Sequence, residues 1–391
     1  MSAPLRVLSI ATLFPDATRP NFGIFVERSL AALAGQPGID LTIAAPIGLP
    51  PWPLSRHPRY ATLATLPLEE QWHGLSVLRP RFALIPGRWP TLHAPMIARA
   101  VARAIRDLPP FDVIDAQFFH PDGAAAAQLA ARLGLPCSIK ARGSDIAVWG
   151  QRADTGAQIR SAAAAAGGLL AVSRSLREEM AGIGIDPTKI TIHYTGIDAA
   201  RFRPIDRALA RQQLSLDDGP VLLTVGTLME RKGQRLVLDA LPSLPGVTYC
   251  LAGTGPAEAD YRARAEALGV ADRVRFLGSV ANADLPALYS AADIMVLPSM
   301  AEGLANAWVE ALACGTPLLL ADIPPAHEVI DAPDAGQIVP ADSASITNAV
   351  REMLASAPDR ASLSARTHAR FSWERNGAEL AAHLRALTGK D

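Results

Sequence analysis

The sequence predicts an α/β chain of two domains, each built on a parallel sheet covered by helices on both faces. Three observations carry this. Short apolar runs alternate with longer helical patterns along most of the chain. The alternation breaks at a polar segment, residues 198–220, and then restarts. The length, 391 residues, exceeds what one core usually holds.

In the first half the expected strands are 5–12, 39–46, 75–80, 111–117, 136–141, 169–173 and 189–194, with helices at 24–34, 94–108 and 123–134. In the second half strands are expected at 220–226, 247–253, 274–278, 293–298 and 317–322. Helices at 232–241, 257–269 and 283–292, and one after Gly303, separate them. The linker falls near Ile197–Pro204. The domains are therefore 1–197 and 198–370, and a last helix within 371–391 packs back across the first domain.

Composition narrows the function. Hydrophobic residues make up 49% and charged residues 19%, so a large core is available and disorder is not expected. A formal net charge of −1 gives no reason to expect nucleic acid as a partner. Cys137, Cys250 and Cys314 lie far apart in apolar segments without metal-ligand spacing, as buried thiols of a cytoplasmic protein do. The opening MSAPLRVLSIATLFP reads as a first strand and not a signal peptide. No uncharged apolar run reaches the roughly 18–20 residues of a membrane span.

In open α/β sheets ligands bind beyond the carboxyl ends of the strands, so the residues at those ends are the candidates for chemistry. EGLANAWVEALACGTP (302–317) follows a strand and holds Glu302 and Glu310, with seven residues between them. Gly303 is expected to turn the chain, and a helix starts near Ala305 or Asn306. The free N–H groups at such a start attract phosphate. Glu310 sits in an apolar helix beside small residues, where its carboxylate can accept two hydroxyl hydrogen bonds; a solvated surface glutamate is the alternative. VGTLMERKG (225–233) offers a glycine turn, Arg231 and Lys232, in a chain with only four lysines against 33 arginines. This resembles an anion cradle, or else a solvated basic turn. AGTGP (252–256) is a third glycine loop. In the first half, Gly23 begins a helix, ARGSDI places Arg142 and Asp145 at a strand end, and His120 opens HPDG. Asp145 serves equally well as a helix cap, and His120 as a structural histidine.

These segments resemble family 4 of the retaining glycosyltransferases. The E-x7-E pattern of Glu302 and Glu310 is that family's signature. The likeness runs through FLGSV (276–280), LYSAADIMVLPSMAEG (288–303), VGTLMERKG, TGIDAARFRP (195–204) and AVSRSL (171–176). RGSDI and PNFGIFVERSL look like a bacterial branch making surface polysaccharides. The resemblance implies the GT-B fold, with two Rossmann-like domains facing across a cleft. It implies an acceptor side in the first domain and a nucleotide-sugar donor side in the second. It gives Glu310 the nucleotide ribose, Glu302 the donor sugar, and Lys232 with Arg231 the diphosphate. Gly226, Thr227, Gly253 and the backbone of Gly303, Leu304, Ala305 and Asn306 complete the donor site, which Gly23 approaches from the other domain. Glu302, Lys232 and Arg142 are the expected catalytic set, with Arg142, Asp145 and His120 on the acceptor side. Three positions depart from the family pattern: Thr227 stands where arginine is usual, Arg142 where histidine is, and Thr195 where asparagine is.

The expected reaction is metal-independent transfer from a UDP- or GDP-sugar, with no cofactor, to a glycan or lipid-linked acceptor. Residues 51–106 hold eight arginines, Trp52, Trp72 and Trp89, and only Glu69 and Glu70 as acids. That composition suits peripheral contact with an anionic membrane at its inner face, or else an ordinary surface over buried tryptophans. Two alternatives use the same fold: an epimerase or phosphorylase, and an inactive binding or scaffold protein.

Overall fold

The computed structural model describes residues 3–84, 89–356 and 358–390, the Arg59 side chain excepted. The chain divides into two compact units: residues up to Gly196 together with those from Trp373 on, and Ile197–Ser372.

The first unit carries strands β1 (Leu5–Ile10), β2 (Ile39–Ala44), β3 (Ile47–Leu49), β4 (Glu69–Trp72), β5 (Leu75–Leu78), β6 (Arg81–Ala83), β7 (Val113–Ala116), β8 (Cys137–Ala141), β9 (Gly168–Ala171) and β10 (Ile190–Ile192). Eight of them form one sheet in the order β10-β9-β8-β7-β1-β2-β5-β4. Every pairing is parallel except β4 with β5, which are joined by the two-residue turn His73–Gly74. The expectation of a purely parallel sheet is corrected at this edge. β4 reads EEQW, a polar edge strand without the apolar run by which the inner strands were recognised. β3 and β6 pair as a separate two-stranded ribbon, over a small core of Ile47, Leu63 and Leu66.

The central strands β7, β8 and β9 are buried on both faces, as their largely apolar sequences favour. Leu8, Ile10, Ile114 and Ile139 pack on Ile97, Val101 and Leu129 from two helices. On the opposite face Val7, Ile43 and Val113 meet Leu30 and Leu33 of the helix Ile24–Ala34, and Leu380 and Leu384 of the C-terminal helix Trp373–Thr388. Polar contacts fix that last helix in place. Asn376 accepts from Ser29 Oγ (2.9 Å) and donates to the Tyr194 carbonyl (2.6 Å), while the Asn376 carbonyl takes a 2.9 Å hydrogen bond from His193 Nε2.

The second unit holds β11 (Val221–Val225), β12 (Thr248–Ala252), β13 (Val274–Gly278), β14 (Ile294–Leu297), β15 (Leu318–Ala321) and β16 (Gly336–Val339). All pairings are parallel, in the order β13-β12-β11-β14-β15-β16. Counted within this unit, the order is that of a dinucleotide-binding sheet, and it reverses between β11 and β14. The loops leaving the carboxyl ends of these two strands are 226–233 and 298–305, the segments singled out above. β16 was not expected: GQIV is short and begins on a glycine.

Candidate functional site

At the strand-order reversal the 3-10 turn Glu230–Lys232 meets the loop after β14. The Lys232 ammonium donates to a Glu302 carboxylate oxygen, with 14% and 9% of the two side chains exposed. Arg231 lies more open, its Nη1 donating to the Ala301 carbonyl at 3.0 Å. The Arg231 carbonyl in turn accepts from the Met300 N–H at 2.8 Å. Two segments some 70 residues apart are thus joined by both charge and backbone.

The glycine loops bring the backbone close. Gly253 has φ of +144°, and a Cβ there would sit 2.0 Å from the Gly226 carbonyl oxygen. Only glycine fits so close an approach. Thr227 is exposed, and its carbonyl accepts from Gln234 Nε2 at 2.9 Å. The chain bends at Gly303 without a left-handed φ, and a Cβ there would meet nothing within 4 Å. The space beside it is open.

The helix Asn306–Ala313 follows. Trp308, Val309, Ala311, Leu312 and Ala313 are its buried face. Asn306 and Glu310, one turn apart, share the other side, so Glu310 is half-buried. No side chain caps the helix start at Ala305. Glu310 is neither a solvated surface residue nor bordered by small residues alone: Tyr289 Oη donates to its Oε2 at 2.9 Å. Sequence reading missed Tyr289, although LYSAAD was among the segments that carried the resemblance. Burial, and then the Glu310 charge, push the Tyr289 phenol far up, so it remains a donor at neutral pH.

The remaining candidates lie in the first unit. Gly23 precedes the helix Ile24–Ala34 in a left-handed conformation, φ 71°. Arg142 is held at both ends of its fork, with Nε on the Gln117 carbonyl (2.8 Å) and Nη2 on Gln117 Oε1. Gln117 Nε2 donates to buried Asp115. The Arg142 guanidinium lies 5.0 Å from the Phe25 ring. Burial lowers it to about 10, which leaves it charged at neutral pH. Asp145 is buried and accepts from three backbone N–H groups: Phe119 (2.9 Å), Arg142 (3.0 Å) and Gly143 (2.8 Å). Its carboxylate therefore binds two loops together. His120 is buried against Trp149, ring centroids 5.2 Å apart. Burial lowers it to about 4, so the ring is neutral at pH 7.

The arginine- and tryptophan-rich stretch divides in two. Arg79 is 1% exposed and paired with Glu70, Arg81 donates to the Leu66 carbonyl, and Trp72 Nε1 donates to Glu27 at 2.9 Å. Trp52 and Trp89, by contrast, are 73% and 55% exposed, and Arg56, Arg99, Arg103 and Arg106 reach solvent. Arg88 lies outside the described residues. Among the described residues no helix is long and apolar enough to cross a membrane, and no three His, Cys, Asp or Glu side chains are grouped to hold a metal ion.

Comparison with known proteins covers both units. The family model for group 1 glycosyl transferases matches residues 206–370, and that for glycosyltransferase family 4 matches 28–201. Over 330 residues the chain is 29% identical to TuaC of Bacillus subtilis, whose name assigns it to teichuronic acid biosynthesis; the match spans 82% of this chain and 81% of that protein. A 146-residue segment is 40% identical to a D-inositol 3-phosphate glycosyltransferase of Mycobacterium tuberculosis, covering 36% of this chain and 30% of that one. Among solved structures, HepE of Anabaena in complex with UDP aligns with a TM-score of 0.74 at 20% identity, over 98% of this chain and 100% of that one. Sucrose-phosphate synthase of Thermosynechococcus elongatus aligns at 0.76 and 20% identity, over 98% and 99%. These likenesses show the GT-B fold.

Proposed function

The chain belongs to the family 4 glycosyltransferases, and from that premise we propose that it transfers a sugar from a UDP- or GDP-sugar, with retention at the anomeric carbon. The acceptor is a glycan or lipid-linked saccharide of bacterial surface polysaccharide or glycolipid synthesis. The Lys232–Glu302 pair at the strand-order reversal, with Glu310 on the helix that follows Glu302, carries this reading. The name of the Bacillus relative, which assigns it to teichuronic acid biosynthesis, and the UDP and UDP-glucose complexes of HepE support it.

In this mechanism Lys232, Arg231 and the uncapped start of the helix Asn306–Ala313 meet the charge that builds on the leaving diphosphate. Arg231 supplies the positive charge absent at Thr227. Glu310 accepts from the ribose and Glu302 from the donor sugar's hydroxyls. The bond from the anomeric carbon to the phosphate oxygen breaks, and the acceptor oxygen bonds to the same face. The departing phosphate oxygen takes the acceptor's proton, so the chemistry needs no side-chain base. Asp145 shapes the acceptor-side loop through its three backbone contacts.

The lobe around β3 supports peripheral membrane contact. Residues 41–68 hold no acid and present Trp52 and Leu54 outward beside Arg56. Sedimentation with anionic vesicles checks this: binding that falls with salt is expected, and its absence removes the contact.

The decisive test is thermal stabilisation by UDP, GDP and ADP in the wild type and in Glu310→Ala. A ligand at 100 times its Kd adds about 2.7 kcal/mol. One nucleotide should stabilise the wild type and lose that effect in the variant. No stabilisation by any of them favours a binding or scaffold role. A changed sugar nucleotide formed without acceptor would favour an epimerase.

A further inference from the structure

Tyr289 belongs to the helix Leu285–Ala291, which precedes β14, whereas Glu310 belongs to the helix that follows it. The tyrosine is 0% exposed. Its ring lies 6.4 Å from that of Phe202, and Thr316 Oγ1 donates to its carbonyl at 2.6 Å. Ring and backbone are thus fixed independently, and the phenol has one proton to give. It gives it to Glu310 Oε2 at 2.9 Å.

We propose that Tyr289 is a positioning residue which sets the orientation of the Glu310 carboxylate and so determines how strongly the site prefers a ribose over a sugar lacking hydroxyls. The inference rests on the reading of Glu310 as the ribose contact. A glutamate carboxylate turns about a broad, roughly two-fold torsion, and a vicinal diol needs its acceptor held in one plane. The Tyr289 hydroxyl locks that torsion from the protein side. The carboxylate has about four acceptor positions, so accepting from Tyr289 leaves capacity for a ligand. Without the hydroxyl the carboxylate loses this restraint, and the preference weakens although Glu310 is still present.

The test uses Tyr289→Phe, which keeps the buried ring and removes only the oxygen. Affinities for UDP, GDP and ADP, each beside its 2′,3′-dideoxy counterpart, are measured by calorimetry for the wild type, Tyr289→Phe and Glu310→Gln. The expected result is a preference for the ribose form that drops roughly five- to tenfold in Tyr289→Phe, the effect of one hydrogen bond. Dideoxy affinity should be unchanged. A Tyr289→Phe protein that keeps the full preference, or loses affinity for both forms alike, overturns the proposal. A wild type without any ribose preference, or one that Glu310→Gln leaves intact, overturns the ribose reading of Glu310 itself. Glu310→Gln also keeps the question answerable if Tyr289→Phe fails to fold, because its amide retains an acceptor for Tyr289 without the charge. A preference reduced but not abolished is then expected, and complete loss counts against positioning.

Discussion

Lys232, on the turn after β11, donates to Glu302, on the loop after β14, so the two groups assigned to diphosphate and sugar neutralise each other in the free protein. A phosphate that enters must share the ammonium with this carboxylate. Glu302→Gln removes that competition. It should bind the nucleoside diphosphate at least as tightly as the wild type and yet transfer sugar slowly. Lys232→Ala should weaken nucleotide binding and cost about 2–4 kcal/mol of transition-state stabilisation. The two changes should not add, because the residues are in contact. Calorimetry and turnover on the single and double variants check this. Nucleotide binding that falls equally in Glu302→Gln and Lys232→Ala would remove the competition.

Gly253→Ala should damage the donor loops without touching a charge. Its Cβ would lie 2.0 Å from the Gly226 oxygen at φ of +144°, a conformation alanine avoids. A loss of at least about 2 kcal/mol is expected, read as a lower urea midpoint. An unchanged midpoint would mean that the two loops separate at little cost.

Arg142 and Gln117 make a two-point clamp, which an ammonium cannot copy. Arg142→Lys keeps the charge but should cost about 1–3 kcal/mol of stability. If Arg142 acted on an acceptor by charge alone, the lysine variant would keep both stability and turnover.

The parallel strands were legible because burial on both faces leaves an apolar run with no polar alternation. β11, β12 and β14 have it, whereas β8 carries Ser138 and Lys140 in alternation and buries them all the same. β4 was not, since an edge strand exposing Glu69 and Gln71 has no such run. At the site, Glu310 stood out as a carboxylate in an apolar helix, but its partner Tyr289 did not. A tyrosine among apolar residues reads as core, and nothing in its spacing says where the hydroxyl points. Arg79 failed in the opposite direction. It counted toward a basic surface, yet it is buried with Glu70, because charge tallies cannot separate solvated arginines from paired ones. In sequence Asp145 fits a helix cap and a site residue equally well, and only the fold shows the three N–H groups that converge on it.

Acid should loosen the C-terminal helix through His383. This ring lies against β8, its Nε2 3.1 Å from Ser138 Oγ, and burial lowers it from 6.5 to about 4. Between those values the unfolded chain binds the proton and the folded one does not. The stabilisation is therefore complete above pH 6.5 and is lost as pH falls toward 4, by up to about 1.4 kcal/mol per pH unit. Asp122, raised by burial to about 7, acts in the opposite sense, its stabilising effect being lost as pH rises toward 7. Comparing wild type with His383→Gln at each pH cancels that contribution. The wild type should lose stability more steeply than the variant between pH 6.5 and 4, with faster amide exchange in residues 373–388. Parallel acid limbs in the two proteins would show that His383 titrates alike in the folded and unfolded states, and that burial does not hold its ring neutral.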